Sequence, residues 1–368
     1  QKDGKLVRKQ KMQLAVEPLS EKNFTVPFAI PVDGSEYAVT VSFQLKEDTI
    51  WAQAGHEVAF GQKVYQKAAE WKAPEKTVQV IHGKMYIGVK GENFDCLFSP
   101  MNGGLVSYRY GGKELIEKMP MPNFWRAPVD NDNGSMAPAR YSQWKIASMY
   151  ISNKNGQSMF GGSAFQFEEK ENCVTVTFTY YMPTVPASSC QAAYTVYGDG
   201  TVETELTYDP VEGLPDMPEF GMMFKFNADY DNVEWYGLGE QETYADRSRG
   251  AKLGIYKNKV ADNMAKYLVP QECGNHTHVR RASVTDNLGR GMEFSGKELN
   301  FSALPYTPHE LENAMHSYEL PPVYYTVVRV ALQQMGVAGD DSWGARTHEE
   351  YLIDVTRPLE LHFSFRGI

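Results

Sequence analysis

The chain has 368 residues and a formal net charge of −10, with 42% hydrophobic and 22% charged residues. That composition is globular and long enough for two or three domains around a sizeable core. The acidic balance, with no Lys/Arg-rich run, gives no electrostatic case for nucleic acid or an anionic membrane, and no apolar run is long enough for a spanning helix.

Residues 1–66 read as short strands. In Lys11–Val16 the apolar Met12, Leu14 and Val16 share one face, and in Tyr37–Leu45 the residues Tyr37, Val39, Val41, Phe43 and Leu45 do the same. Glu57–Phe60 reads as a third strand. An immunoglobulin-like sandwich needs about 100 residues and seven strands. This shorter segment is therefore a partial sandwich, the later strands of one whose first strands are missing. Residues 67–76 form a linker with Ala, Glu, Lys and Pro74.

From Thr77 to Ile368 strand follows strand, so the fold class is all-β. Val174–Tyr180 and Thr201–Thr207 alternate, the latter entered through the hairpin turn Gly198-Asp199-Gly200. Tyr325–Leu332 is apolar on both faces with Arg329 its one charge, as in a buried strand. Leu359–Phe365 alternates and closes the chain. One helix is clear: Thr307-Pro308-His309-Glu310 is a capping box, and Leu311, Ala314, Met315 and Tyr318 recur with helical period up to Pro321-Pro322. A weaker helical turn carries Tyr141 and Trp144. The region is too long for a simple sandwich, which favours two large twisted sheets.

The aromatic content of 12%, with 22 Tyr, 18 Phe and 6 Trp, suits both β-structure and stacking on sugar rings. Cys96, Cys173, Cys190 and Cys273 show no CxxC or zinc spacing, which points to reduced thiols and a cytoplasmic setting. Three loops carry chemistry-bearing residues. Asn123–Gly134 reads FWRAPVDNDNG after its first Asn: Pro128 rules out a central strand, and Gly134 offers a permissive φ. Its acidic run fails as a calcium loop, because Ser135 and Tyr141 stand where Gly and Glu are needed. Trp235–Arg247 reads as a structural loop held by a Glu–Arg or Asp–Arg pair. Gly339-Asp340-Asp341-Ser342-Trp343-Gly344 sets a Trp beside two carboxylates, which suits a sugar face; the competing and favoured reading on composition is a Trp that plugs the core edge while the Asp residues cap the turn. Adjacent Asp340 and Asp341 point apart and make no glycosidase pair. His276 and His278 could be half of a metal site, but packed or solvated imidazoles fit better without a third ligand.

These runs, in this order and preceded by Ala54-Gly55-His56-Glu57-Val58-Ala59, resemble the C-terminal third of the large bacterial β-galactosidases of glycoside hydrolase family 2. The likeness covers nearly the whole chain. It implies that residues 77–368 form a β-supersandwich related in shape to galactose mutarotase, and that residues 1–66 are the end of an immunoglobulin-like domain. It implies that the catalytic glutamates and magnesium ligands lie in a preceding (β/α)8 barrel, so this chain holds no catalytic residue, no metal and no cofactor, although the full-length family uses Mg2+ and a monovalent cation. Some relatives bind the latter near the stretch matching Leu268-Val269-Pro270. The substrate-binding residues implied are Trp343, Asp341 and Gly134, with Trp343 a wall of the galactose site. The partners implied are a galactoside, the barrel portion and further copies of the full-length enzyme. The chain alone is then inactive, and the tip after Gly134 is mobile without the barrel. The alternative is a free-standing carbohydrate-binding or mutarotase-like module.

Overall fold

The computed structural model describes residues 1–27, 29–31, 33–65, 74–154 and 165–368. Most of the expected linker at 67–76 lies outside the described residues. The chain divides into two compact units, Gln1–Lys72 with Lys252–Ile255, and Ala73–Ala251 with Tyr256–Ile368. Among the described residues no helix is long and apolar enough to cross a membrane.

In the first unit β1 (Tyr37–Gln44) and β2 (Glu57–Tyr65) form an antiparallel ribbon with an irregularity after Phe43. The strand expected at Lys11–Val16 does not form; among the described residues that segment has no ladder partner, and it is largely exposed. An alternating pattern makes a strand only where another strand supplies the hydrogen bonds. Val41 and Phe43, expected on a buried face, are exposed even though β1 is paired with β2.

The second unit opens with β3 (Gln79–His82), β4 (Ile87–Lys90), β5 (Phe94–Ser99), β6 (Gly104–Tyr110) and β7 (Lys113–Glu114), an antiparallel five-stranded sheet in chain order. β8 (Lys118–Asn123) then joins a larger sheet. Three short helices follow: α1 (Asp130–Gly134), α2 (Ala137–Arg140) and α3 (Ser142–Tyr150). The larger sheet continues through β9 (Phe165–Glu169), β10 (Cys173–Met182), β11 (Ser188–Tyr197), β12 (Val202–Tyr208), β13 (Glu219–Asn227), β14 (Asn232–Gly239), β15 (Lys252–Lys259), β16 (Asn275–Thr285) and β17 (Gly291–Leu304). After α4 (Pro308–Asn313) it ends with β18 (Tyr325–Gln334) and β19 (Leu359–Gly367).

This twelve-stranded sheet forks at β17. Its first half, Met292–Gly296, pairs with β19 and leads on to β12, β11, β10 and β9. Its second half, Asn300–Leu304, pairs with β18, which carries β13 and then β8. β8 is the outer strand of that arm, and this is why it tolerates Pro120 and Pro122, which have no N–H to offer a second neighbour. Between the sheets lies an aromatic core. Phe98 contacts Phe178 and Tyr194, while Phe224 meets Phe294, Phe363 and Phe365 edge to face.

The capping box of α4 is present, with Thr307 Oγ1 accepting from the Glu310 N–H and the Glu310 carboxylate accepting from the Thr307 N–H. The helix is shorter than its periodicity suggests. Glu319 Oε2 accepts the N–H groups of Met315 and His316 at 2.7 and 3.1 Å, so these donors serve a separate turn over Ser317–Glu319, and Met315 and Tyr318 are exposed.

Candidate functional site

Two loops meet at one end of the β18–β13–β8 arm. The first leaves β8 at Asn123. Phe124 and Trp125 are buried, Phe124 against Trp144 and Phe220, and Trp125 Nε1 donates to Glu312 Oε2 at 2.9 Å. Pro128 is buried as well. The expected loop tip is instead α1, whose first turn carries Asp130 and Asp132, the charge a helix N-terminus favours. Asp132 accepts from the Val129 N–H at 3.0 Å and pairs with the buried Arg126 at 3.0 Å, while Asp130 contacts Gln271. These carboxylates are committed to the fold. After Gly134 come two short helices, α2 and α3, with Ala137, Tyr141 and Trp144 buried and Met136 exposed.

The second loop leaves β18 and covers 336–348. Its base is held three ways: Gly336 O accepts from Arg126 Nη2 and Thr347 Oγ1, both at 3.0 Å, and Asp246 Oδ2 accepts the Ala338 N–H at 2.8 Å. Its far side is closed by His348 Nε2 and Asp340 Oδ1 at 2.8 Å, a hydrogen bond that raises the His348 pKa above the ordinary histidine value. At its tip Asp341 Oδ1 accepts the N–H groups of Trp343 and Ala345, at 2.8 and 3.1 Å.

The loops touch. Asn131 Nδ2 donates to Asp341 O at 2.8 Å. A Cβ added at Gly134 would lie 2.8 Å from Gly344 Cα and 3.0 Å from Trp343 O. The structure therefore brings Gly134, Asp341 and Trp343 together. Gly134 matters because it has no side chain where two backbones cross; its φ is not in the left-handed region. Asp341 spends one carboxylate oxygen on its own turn. Trp343 does not plug the core: it is 89% exposed.

Beneath both loops is a buried ionic network. Arg329 on β18 donates to Glu219 Oε2 at 2.8 Å, to Glu272 Oε1 at 2.5 Å and to Ser302 Oγ at 3.1 Å. Asn123 and Gln334, at the roots of the two loops, each donate to Glu219 at 2.6 Å. Burial pushes Glu219 up to about 7, with neighbouring Glu272 adding to the rise and Arg329 opposing it. This network ties the strand ends that launch the two loops into one rigid floor.

Sequence reasoning passed over Asn131, Asp246 and the Glu219–Arg329 pair. The only signal was Arg329, a lone charge in an apolar strand, which demands a buried counter-charge. The structural reading of Trp235–Arg247 holds, since Glu242 and Arg247 pair at 2.9 Å. His276 stacks on Trp235 at 3.9 Å, and burial lowers its pKa to about 3. A register irregularity runs from His276 to Val279, and His278 lies within it, solvent-exposed at a positive φ of 52°, so the two imidazoles do not share a face. Among the described residues no three carboxylate, imidazole or thiolate groups converge, and the Val269 carbonyl accepts from Gln271 Nε2.

The family models decide the kinship: Beta galactosidase small chain matches residues 90–366, and Beta-galactosidase, domain 4 matches residues 1–66. The chain belongs to the β-galactosidase family. It is 43% identical over 343 residues to a β-galactosidase of Halalkalibacterium halodurans, covering 91% of this chain and 33% of that one. It is 36% identical to one of Priestia megaterium, over 100% of this chain and 35% of the relative. The chain thus spans about a third of the length of these β-galactosidases. Against the β-galactosidase small subunit of Latilactobacillus sakei it is 35% identical, covering 79% of this chain and 97% of the relative. Among solved structures it is similar to a galactose 1-epimerase from Lactobacillus acidophilus NCFM, at 8% identity and a TM-score of 0.44, over 80% of this chain and 99% of that one.

Proposed function

We propose that this chain is the non-barrel portion of a retaining β-galactosidase, which completes the galactose site and takes no part in bond cleavage itself. The full enzyme hydrolyses terminal β-galactosides through a covalent glycosyl intermediate formed on a barrel carboxylate. This chain supplies one apolar wall. The observation that carries the reading is the exposure of the Trp343 ring on a loop pinned at its base, tip and far side. Exposing a large aromatic face costs hydrophobic free energy, and a rigid presentation lowers the ordering cost when a ligand covers it. One stacking wall is only a fraction of a sugar site, so the isolated chain binds galactose weakly or not at all.

The test mixes this chain with the remaining two thirds of the enzyme and follows hydrolysis of o-nitrophenyl β-D-galactoside. Trp343→Ala lifts KM by about five- to thirtyfold, the equivalent of ~1–2 kcal/mol of lost stacking. An unchanged KM in the assembled variant removes Trp343 from the site. Tight galactose binding by the isolated chain in calorimetry favours the free-standing binding module instead.

A further inference from the structure

We infer that Asn131 and Asp341 are positioning residues that fix the backbone carrying the Trp343 ring before any sugar arrives, through a clasp between the two loops. The inference rests on the reading of Trp343 as a sugar wall and deepens it. Nothing in the chemistry of a surface Trp dictates where its ring points, because an exposed side chain samples several rotamers within nanoseconds. Here the backbone beneath it is over-determined. Asp341 Oδ1 takes the N–H of Trp343 itself and that of Ala345, so one carboxylate oxygen closes the turn on both sides of the ring. Asn131 then takes the carbonyl of that same Asp341 at 2.8 Å and ties the turn to α1. Gly134, three residues on, lets α1 approach within van der Waals contact of the Trp343–Gly344 peptide.

The roles divide by chemistry. Asp341 acts within its own loop and needs only an acceptor at Oδ1, so an amide can replace the acid. Asn131 acts between loops and needs a donor of the right length. Neither needs to touch the sugar. Direct substrate binding by Asp341, the expectation from resemblance, makes a different demand: its effect would be confined to the sugar-bound state.

Two readouts on the full-length chain and the assembled enzyme separate these cases. In the first, the chain is labelled with 5-fluorotryptophan and the Trp343 fluorine resonance is assigned by its loss in Trp343→Phe, with no sugar present. In the second, KM and kcat for o-nitrophenyl β-D-galactoside are measured after assembly with the remaining two thirds of the enzyme. The clasp predicts that Asn131→Ala and Asp341→Ala each move the Trp343 resonance toward its unfolded position. It also predicts that they raise KM about three- to tenfold, the loss of one or two hydrogen bonds, with kcat within twofold. Asp341→Asn keeps the native resonance and KM. If both alanine variants leave the resonance in place, the positioning inference is overturned even when KM rises. If they leave resonance and KM unchanged while Trp343→Ala raises KM, the inference falls and the sugar wall stands. If Trp343→Ala itself leaves KM unchanged, the wall has failed and the inference falls with it.

Discussion

Replacing Arg329 with Met should be among the most damaging single changes in the second unit. The guanidinium is buried between Glu219 and Glu272, whose side chains are fully buried, and it also holds Ser302. Met fills much of the volume but leaves two carboxylates facing each other without a cation. Removing one partner of a buried pair typically costs about 3–5 kcal/mol, which in a unit of this size lowers Tm by roughly 10 °C. An exposed pair is the control: Lys257→Ala removes a 2.6 Å contact to Glu234 at the surface and should cost under ~1 kcal/mol. The same network carries a pH signature. Glu219 ionises near pH 7 in the fold and near its ordinary value of 4.5 when unfolded. Between those values the folded chain keeps a proton that the unfolded chain has released. The contribution is full below about pH 4.5 and is lost as pH rises toward 7. Urea unfolding followed by the fluorescence of the buried Trp125, Trp144 and Trp235 reports this directly. The wild type should lose stability from pH 5 to 7.5, and Glu219→Gln should flatten that slope. Equal costs for Arg329→Met and Lys257→Ala, or a Glu219→Gln slope identical to wild type, would refute the reasoning.

Two further outcomes follow from burial. His276 is stacked on Trp235 and held neutral, so its imidazole proton resonances should not titrate between pH 5 and 8; a His276 titration near 6.5 would contradict the packing. Burial raises the thiol pKa of Cys96, Cys190 and Cys273, while Cys173 is only partly covered, so iodoacetamide should alkylate Cys173 first in the native chain; early labelling of Cys96 would refute the placement.

Much of the sheet was legible because alternation reports one buried face. β10, β12 and β19 read directly from their period-two pattern, and β18 from its apolar run. The capping box of α4 was legible because its residues satisfy each other locally. What failed depended on partners distant in sequence. Lys11–Val16 has a strand pattern but, among the described residues, no strand beside it. Met315 is the local exception: it left the helix because the Glu319 carboxylate, four residues on, took its N–H. The fork of β17 was invisible, since its halves carry no mark that one pairs with β19 and the other with β18. In the candidate site, motif order singled out Gly134, Asp341 and Trp343, and the structure brings them together. Their division of labour was not legible, because an Asp in a turn reads the same whether its oxygens face a ligand or its own backbone. Asn131 and Asp246 were hidden for the same reason, being ordinary turn residues until the second loop is laid against them.

The measurement that reaches the central claim most directly is hydrolysis of o-nitrophenyl β-D-galactoside by three samples: this chain alone, the remaining two thirds of the enzyme alone, and the two mixed. Turnover should be absent from the first, low or absent in the second, and restored in the mixture, with Trp343→Ala assembling normally but working at a raised KM. Turnover by this chain alone would contradict the account, because it would place the cleaving carboxylates in this chain and not in the remaining two thirds of the enzyme.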